Sequence, residues 1–387
     1  MKIVVAPDSF KGSLTAVEAC RAISTGLRRV VPQAQIVEIP MADGGEGTVD
    51  ALVASTSGRR RSVVVCGPLG ENVEAEYGIL GEHPEQDEQE KTAVIEMAAA
   101  AGLTLVPAEK QNPLHTTTFG LGQLILDAVD QRCRNIIVGI GGSATNDCGT
   151  GMAQALGVRF LDQSGQCITE PMTGRMTGRV RSIEMGDLKP LIKQRNFIVA
   201  CDVTNPLLGP NGAAHVYAPQ KGADARTVQI LDANMEHLIH LTEEKVGAEL
   251  RNVPGAGAAG GLGAGLMAFL DARLQPGVEI VMRYSGFAEK IRSADLIITG
   301  EGRVDGTTAS GKAISGITAS AAVGSIPVVA LAGSVGPDID KDMEMGLKAV
   351  LPICPGPMTA KKSMKDAAVL LTDAAERLMR LVMLRPA

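Results

Sequence analysis

Short apolar runs that end in glycine, proline or aspartate recur along the chain, and they constrain its fold more than any other feature. Seven of them are 3-IVVAPD-8, 36-IVEIP-40, 136-IIVGIGG-142, 197-FIVACD-202, 296-LIITGEG-302, 328-VVALAGS-334 and 349-AVLPI-353. Apolar runs without polar alternation are typical of parallel strands that are buried on both faces. The pattern therefore predicts a parallel sheet covered by helices.

Helical patterns lie between several of these runs. In the first of them, Thr15 and Glu18 have the spacing of a capping box, and an apolar stripe follows at helical spacing. Alternating strands and helices predict a doubly wound α/β fold, in which ligands bind outside the carboxyl ends of the strands. We therefore expect the functional residues directly after the apolar runs.

Composition and residue spacing exclude several classes of protein. The 37 Lys and Arg against 43 Asp and Glu give a formal charge of −6, so no overall basic field attracts nucleic acid. The seven cysteines form no C-x-x-C pair, and His237 and His240 lack further ligands at metal spacing, so we expect neither disulfides nor a zinc site. The chain opens on a strand pattern, and no apolar run reaches the roughly 18 residues of a membrane span. These features predict a cytoplasmic protein that does not cross a membrane.

Glycine accounts for 45 of the 387 residues, and much of it is clustered. The clusters are 6-APDSFKGSLTA-16, 40-PMADGGEGT-48, 139-GIGGSATNDCGTG-151, 200-ACDVTNPLLGPNGA-213, 254-PGAGAAGGLGAG-265 and 299-TGEGRVDGTTASGK-312. Glycine loops let backbone N–H groups approach a phosphate closely, and the N-terminus of a following helix adds a favourable dipole. Carboxylates in most of the same loops require a metal ion or a hydroxyl as a partner. The combination favours phosphoryl transfer.

Two segments imitate better-known nucleotide motifs. Gly139-x-Gly141-x-x-Ala144, followed about twenty residues later by Asp162, has the spacing of a dinucleotide fingerprint, so an NAD-dependent dehydrogenase is an alternative. Asp147, however, would then lie among the groups that hold an anionic pyrophosphate. The segment 306–312 resembles a P-loop, but Ala313 stands where the magnesium-binding hydroxyl is required, so the sequence argues against that site.

Six motifs, in this order along the chain, carry a resemblance to a known family. They are 6-APDSFKGSLTA-16, 41-MADGGEGT-48, 141-GGSATND-147, 201-CDVTNPL-207 with 219-PQKGA-223, 255-GAGAAGGLGAG-265 and 299-TGEGRVD-305. Together they resemble the bacterial glycerate kinase family of the first class. The resemblance implies phosphorylation of D-glycerate by ATP with Mg²⁺ to give 2-phosphoglycerate, and the sequence leaves 3-phosphoglycerate open as the product.

The resemblance also implies two α/β domains. One is a discontinuous, response-regulator-like or Rossmann-like domain with a parallel sheet, and the other is an α/β domain inserted into it. The apolar runs that begin at residues 3, 36, 296, 328 and 349 fit the outer domain, whereas those at 136 and 197 fit the insert. We place the outer domain at 1–65 and 275–387 and the inserted domain at 66–274.

The strand-end residues supply the groups that such a kinase needs. Lys11 and Arg303 are the cations best placed to neutralise glycerate or the transferring group, and Asp202 is assigned as the base that accepts the hydroxyl proton. Asp43 and Asp305 are assigned as metal ligands, although the sequence barely separates the roles of the aspartates. Substrate binding is assigned to Asp8, Ser9, Gly44 and Gly45, and the phosphates of ATP to Gly141, Gly142, Ser143, Thr145 and Asn146.

Three segments depart from the family pattern. Cys148 stands where the family usually carries glycine, which could stiffen the loop after Asp147. The acidic stretch 82–91 is longer than the family's turn and is predicted to be a solvated loop, and the arginine-rich segment 171–181 lacks the family's usual run. D-glycerate is the expected partner, a homo-oligomer stays open, and a non-catalytic metabolite sensor that uses the same site is a further alternative.

Overall fold

A computed structural model of the chain describes residues 1–81, 91–186, 188, 190–305, 313–337, 339, 343 and 346–384. The P-loop-like segment 306–312 and residues 82–90 of the acidic stretch therefore lie outside the described residues. The chain separates into two compact units. Unit 1 comprises Met1–Asp43, Asp50–Gly58 and Val278–Ala387, and unit 2 comprises Gly44–Val49 and Arg59–Gly277. These limits differ by a few residues from the sequence-based bounds at 65 and 275.

Unit 1 is built on a five-stranded sheet in which every neighbouring pair is parallel. Its strands are β1 (Lys2–Val5), β2 (Gln35–Glu38), β11 (Leu296–Val304), β12 (Val328–Val335) and β13 (Leu347–Pro352). They lie in the order β2-β1-β11-β12-β13, which is the 2-1-3-4-5 order of a doubly wound sheet when they are numbered within the unit. The direction in which the chain adds strands reverses between β1 and β11, and this is where such sheets bind ligands.

The helices of unit 1 cover this sheet. They are α1 (Ala16–Arg28), most of α2 (Thr48–Thr56), α10 (Gly277–Tyr284) from its second residue, α11 (Phe287–Lys290), α12 (Ala313–Val323), α13 (Ala360–Lys365) and α14 (Ala367–Val382). The predicted capping box of Thr15 and Glu18 is present at the start of α1. On α1, Gly26 lies so close to the carbonyl of Thr372 on α14 that a Cβ at that position would clash with it.

Unit 2 contains a six-stranded mixed sheet and a small two-stranded sheet. Its strands are β3 (Arg59–Cys66), β4 (Asn72–Ile79), β5 (Thr92–Glu96), β6 (Asn135–Gly139), β7 (Arg159–Leu161), β8 (Ser182–Glu184), β9 (Asn196–Ala200) and β10 (Arg273–Gln275). The large sheet has the order β10-β9-β6-β5-β4-β3, parallel from β10 to β5 and antiparallel from β5 to β3. The antiparallel pair β7 and β8 forms the small sheet.

The helices of unit 2 pack with this sheet into one apolar core. They are α3 (Ala98–Ala101), α4 (Phe119–Asp130), α5 (Thr150–Ala155), α6 (Pro190–Lys193), α7 (Ala213–Tyr217), α8 (Ala225–Val246) and α9 (Ala258–Leu270). Single 3₁₀ turns occur at Leu103–Leu105, Ala108–Lys110, Met176–Arg179 and Pro219–Lys221. At the start of α9, the three residues Ala259, Gly260 and Gly261 have φ values of 52, 71 and 84°, so the backbone makes a left-handed turn before the regular helix.

The structure confirms the α/β class and the parallel sheets. Each of the seven apolar runs overlaps a strand, five of them in the sheet of unit 1 and two in the large sheet of unit 2. In the described part of the chain, no helix combines the length and the apolar character that a membrane span requires.

Candidate active site

A pocket of about 220 Å³ lies in unit 1 at the switch point between β1 and β11. It is lined by Asp8, Ser9, Lys11, Asp43, Glu301, Gly302, Arg303 and Asp305. Six of these residues were predicted from the sequence as site residues, and the fold brings them together although they come from three separate stretches of the chain. The volume is below the roughly 300 Å³ at which pockets for drug-sized ligands begin, so the pocket suits a small molecule.

Backbone hydrogen bonds between strand ends set the shape of this pocket. The N–H of Asp8 donates to the carbonyl of Gly300 at 2.8 Å, and the N–H of Met41 donates to the carbonyl of Pro7 at 2.9 Å. A side chain at Gly302 would contact the backbone at Phe10 and Lys11, so β11 runs directly against the turn that follows β1. The three strand ends therefore present their polar residues to one small volume.

Both predicted cations of the pocket lie beside a carboxylate. Lys11 Nζ is 3.8 Å from Asp43 Oδ2, and Arg303 Nε donates to Asp305 Oδ2 at 2.8 Å. The side chains of Lys11 and Arg303 are 82% and 65% exposed, which leaves most of their donor groups accessible to an anion. The arrangement can neutralise a carboxylate or a phosphate that enters the pocket.

The acidity of Asp8 is perturbed by its surroundings in the pocket. Burial raises the pKa of Asp8 to about 6, and the neighbouring carboxylate of Asp43 acts in the same direction. The backbone N–H of Ser9 donates to Asp8 Oδ1, and this bond and the charge of Lys11 oppose the shift. Carboxyl groups with raised pKa values in a polar pocket are frequent at functional sites.

In unit 2, the glycines of two predicted clusters meet at the carboxyl ends of β6 and β9. A Cβ on Gly139 would lie 2.6 Å from the carbonyl oxygen of Gly44, and one on Gly141 would lie 3.0 Å from the Cα of Gly45. Gly44 itself has φ +89° and approaches Ala200 at the end of β9. Glycine fits these close contacts at Gly44, Gly139 and Gly141, which explains these three glycines without reference to a ligand.

Asp202, the predicted base, also belongs to unit 2 and follows β9. It is exposed, and its Oδ1 accepts a hydrogen bond from the N–H of Gly277 at 2.9 Å. The exposure of the residue places its carboxylate at the surface of unit 2.

The loop predicted to bind phosphate is only partly at the surface. Gly141 and Gly142 are exposed and Ser143 is 8% exposed, whereas Thr145 and Asn146 are fully buried. Buried polar side-chain atoms are normally hydrogen-bonded, yet Thr145 Oγ1, Asn146 Oδ1 and Asn146 Nδ2 find no partner among the described residues. These atoms have donor and acceptor capacity that a ligand or water can satisfy.

Asp147 anchors this loop. Its buried carboxylate accepts hydrogen bonds from Thr118 Oγ1 and from the N–H groups of Thr118, Gly149 and Gly151, at 2.7 to 3.2 Å. Burial raises the pKa of Asp147, and these four bonds oppose the shift. Next to it, Cys148 has φ +53°, a left-handed conformation that glycine adopts without strain, so the position is one at which glycine fits the backbone better.

Lys221 is a residue of this region that the sequence reasoning did not assign. It lies at the end of the turn Pro219–Lys221, only 2% exposed, and Nζ donates to Ser143 Oγ at 2.8 Å and to the carbonyl of Thr145 at 2.6 Å. The motif 219-PQKGA-223 contained it, but nothing in the local pattern indicated that this lysine is buried, since lysines are almost always exposed.

The context of a dinucleotide fingerprint is missing. Asp162 follows β7, which belongs to the small antiparallel sheet, and its carboxylate accepts hydrogen bonds within a turn from Ser164 and Gln166. In a dinucleotide-binding fold the acidic residue ends a strand of the main parallel sheet. The structure therefore argues against the dehydrogenase alternative.

Three arginines of the segment 171–181, namely Arg175, Arg179 and Arg181, are exposed. Arg181 Nη1 donates to the carbonyls of Gly178 and Val180, and His237 Nε2 lies 2.6 Å from the same carbonyl of Val180. In the part of the chain that the structure describes, no three His, Cys, Asp or Glu side chains are placed to hold a metal ion on their own.

Comparison with known proteins assigns the family. The sequence profile of the glycerate kinase family matches residues 3–383. The chain belongs to the glycerate kinase family. It is 50% identical to a glycerate kinase of Halalkalibacterium halodurans over 97% of both chains, and 47% identical to a glycerate 2-kinase of Escherichia coli K12 over 91% of this chain and 90% of the relative. The crystal structure of a Salmonella typhimurium LT2 protein, provisionally assigned as glycerate kinase 2, has a TM-score of 0.88 at 42% identity and covers 99% of this chain and 98% of its own.

Membership in the glycerate kinase family makes the protein an enzyme that transfers a phosphoryl group from ATP to an alcohol group of a small molecule. The resemblance predicted from the six motifs is thereby confirmed.

Proposed function

We propose that this kinase transfers the γ-phosphoryl group of ATP to the 2-hydroxyl of D-glycerate, giving 2-phosphoglycerate and ADP. The observation that carries the proposal is the pocket at the β1–β11 switch point, which combines a volume of about 220 Å³ with two exposed cations. The 47% sequence identity between this chain and a protein named glycerate 2-kinase favours the 2-hydroxyl over the 3-hydroxyl as the acceptor.

In unit 1 we assign Lys11 and Arg303 the role of neutralising the negative charge of the glycerate carboxylate or of the transferring phosphoryl group. Both side chains are long, exposed and held at the mouth of the pocket, and the planar guanidinium can bind two oxygens of one anion. Asp8 and Ser9 are assigned to the hydroxyl groups of the substrate, because a half-buried carboxyl and a hydroxyl discriminate a hydroxy acid from an acid without hydroxyls.

In unit 2 we assign the exposed Gly141 and Gly142, with the neighbouring Ser143, to the phosphates of ATP. The unpartnered atoms of Thr145 and Asn146 support a polar ligand or ordered water at the same loop. Gly44 and Gly45 are assigned to substrate binding by their place at the same strand ends, where Gly44 also packs against Ala200.

Proton transfer is assigned to Asp202. The glycerate oxygen forms a bond to the γ-phosphorus, the bond from that phosphorus to the bridging oxygen of ADP breaks, and the hydroxyl proton passes to the carboxylate. Asp202 is exposed and uses Oδ1 for the N–H of Gly277, which orients the carboxylate for this role.

The proposal includes a Mg²⁺ ion that is bound together with ATP. The donor set of the pocket fits this ion, because four carboxylates line it and Mg²⁺ in kinases is usually held by one or two carboxylates together with substrate phosphates. We assign Asp43 and Asp305 to it. When bound, the ion supplies positive charge to the phosphate oxygens.

The proposal is tested by incubating the enzyme with D-glycerate, ATP and Mg²⁺, following ADP release in a coupled assay and identifying the product by phosphorus NMR. We expect release of ADP that depends on D-glycerate and a product resonance of 2-phosphoglycerate. A resonance of 3-phosphoglycerate would overturn the choice of hydroxyl but not the kinase. Reduction of NAD⁺ by glycerate without ADP release would support a dehydrogenase, and glycerate binding without turnover would support a sensor.

A further inference from the structure

The turn Pro219–Lys221 places a lysine where a lysine is rarely found. Gly222, which ends the turn, has φ +92°, and a Cβ there would lie 2.1 Å from the carbonyl oxygen of Gln111. The backbone is therefore fixed on one side by this close approach, and the side chain of Lys221 extends into the interior of unit 2, where it is 2% exposed. Burial of an ammonium group is costly unless hydrogen bonds compensate for it, so its partners define its role.

The hydrogen bonds of Lys221 dictate the direction of a neighbouring proton. A charged lysine has three donors and no acceptor, so Ser143 Oγ must accept the bond that joins the two side chains at 2.8 Å. The hydroxyl proton of Ser143 cannot lie on that bond and must point elsewhere. Since no other hydrogen bond from this hydroxyl is made within the described residues, the proton is available to a ligand.

The surroundings of Ser143 indicate which kind of ligand would receive that proton. Gly141 and Gly142 precede it and are exposed, and their backbone N–H groups donate to no other group in the described chain. The carbonyl of Gly142 is occupied, because it accepts from the N–H of Leu103 at 2.9 Å. The outward face of the loop therefore offers donors, as the binding of an anion requires.

We propose that Lys221 is a positioning residue of the phosphate loop: it holds the Ser143 hydroxyl as an outward donor to a phosphate group of the nucleotide at Gly141–Ser143. This inference rests on the proposed function, which assigns the same loop to ATP. The lysine does not touch the ligand and acts on it through the Ser143 hydroxyl, and its second hydrogen bond, to the carbonyl of Thr145, holds the ammonium group in place.

The acidity of Lys221 makes this role dependent on pH. Burial lowers the pKa of Lys221 to about 7, and the charge of Asp147 opposes the shift. A neutral amine can accept a hydrogen bond, so above this pH the Ser143 proton can turn inward and the outward donor is lost. We therefore expect the affinity for nucleotide to fall as the pH rises through about 7, and to fall less in Ser143→Ala.

A double-mutant cycle measures the coupling. We would determine the Kd of MgADP by calorimetry for the wild type, Ser143→Ala, Lys221→Met and the double variant, with KM for ATP and kcat alongside. Loss of one hydrogen bond to a charged group predicts a Kd roughly 10- to 100-fold higher in Ser143→Ala. Lys221→Met should weaken binding by a comparable factor alone, but by less than about twofold in the Ser143→Ala background, because the two residues act as one unit.

Controls separate this role from simple support of the fold. Lys290→Met removes a half-buried lysine of unit 1, whose Nζ donates to the carbonyl of Ser55, and should leave the Kd of MgADP unchanged. If Lys221→Met does not fold, the pH dependence of the Kd of MgADP in the wild type and in Ser143→Ala tests the positioning role instead. The positioning role would be overturned if Lys221→Met raised the Kd of MgADP by the same factor in the wild-type background and in the Ser143→Ala background. It would also be overturned if the Kd of the wild type and of Ser143→Ala changed identically with pH. A wild type that releases no ADP with glycerate would instead overturn the proposed function.

Discussion

Lys11 gives the sharpest test of the pocket at the scale of a single residue. Its side chain is 82% exposed and its ion pair with Asp43 spans 3.8 Å in solvent, so it contributes little to the stability of the fold. We expect Lys11→Ala to lower kcat/KM for glycerate by about 10²- to 10³-fold, the usual cost of removing a group that stabilises transition-state charge, with an unchanged melting temperature.

The matched control for Lys11 is Lys348→Ala, which removes an exposed lysine of β13 outside the pocket. It should leave both kinetics and melting temperature at wild-type values. Turnover of Lys11→Ala near that of the wild type would remove Lys11 from the site.

Asp202 can be tested with a substitution that keeps its structural contact. In Asp202→Asn the amide oxygen can still accept the hydrogen bond from Gly277, so the loop keeps its shape while the proton acceptor is lost. We expect kcat to fall by about 10²- to 10⁴-fold with little change in the Kd of MgADP. A kcat within a few-fold of the wild type would mean that another carboxylate takes the proton.

Residues of the candidate pocket were predictable to the extent that they lie at the carboxyl end of a strand. Asp8 follows the buried strand β1, Asp43 follows the partly exposed strand β2, and Arg303 lies near the end of β11. The pocket brings them together because the carboxyl ends of parallel strands meet at one edge of a sheet. Lys221 follows a helix and a turn, and its burial depends on contacts with residues far away in the sequence. Its motif marked the region, but only the fold shows that its charge is enclosed.

At the scale of secondary structure, the left-handed turn at the start of α9 packs against the loop that contains Thr145. Gly260 has φ +71°, and a Cβ there would lie 1.9 Å from the carbonyl oxygen of Thr145. We expect Gly260→Ala to lower the free energy of unfolding by about 2 to 4 kcal/mol, through left-handed strain and through displacement of the loop, and to raise the Kd of MgADP.

Gly247→Ala is the control for this variant. Gly247 ends α8 with φ +73°, but a Cβ there meets nothing within 4 Å, so it carries the backbone strain without the clash. Chemical denaturation should show a loss of about 1 kcal/mol with unchanged nucleotide affinity. Equal effects of the two alanines on binding would show that the contact with Thr145 is irrelevant to the loop.

The strands themselves show what a single sequence reveals about an element. Strands buried on both faces, such as β1 and β6, were predicted because every residue after the first is buried and nonpolar. The hairpin of β3 and β4 was not, since both strands contain several exposed polar residues and β3 begins with three arginines. The left-handed turn of α9 was visible only as a glycine cluster, because its backbone conformation depends on the packing against Thr145.

At the scale of the whole molecule, the family resemblance implied two α/β domains, one of them discontinuous, with bounds placed at 65 and 275. The five strands of unit 1 come from both ends of the chain and still form one sheet in the order of a doubly wound fold. The limits of the units were harder to predict, because the contacts assign Gly44–Val49 to unit 2 although the residues on either side belong to unit 1. A short segment of this kind, which passes from one unit to the other and back, cannot be recognised from composition or hydrophobic pattern.

The free energy of unfolding of the whole chain should depend on pH through the buried amine of Lys221. Lys221 has a folded pKa of about 7, below the value of about 10.4 expected in the unfolded chain, so between these values the unfolded state holds a proton that the folded state lacks. Stability due to this group therefore rises with pH above 7, by at most about 1.4 kcal/mol per pH unit, and is lost as the pH falls toward 7. We would measure the free energy of unfolding by urea denaturation at pH 7, 8 and 9. The value for the wild type minus that for Lys221→Met should increase at each step. The corresponding difference between the wild type and the exposed-lysine variant Lys348→Met should stay constant. A difference from Lys221→Met that does not change with pH would mean that the ammonium keeps its proton in the folded protein.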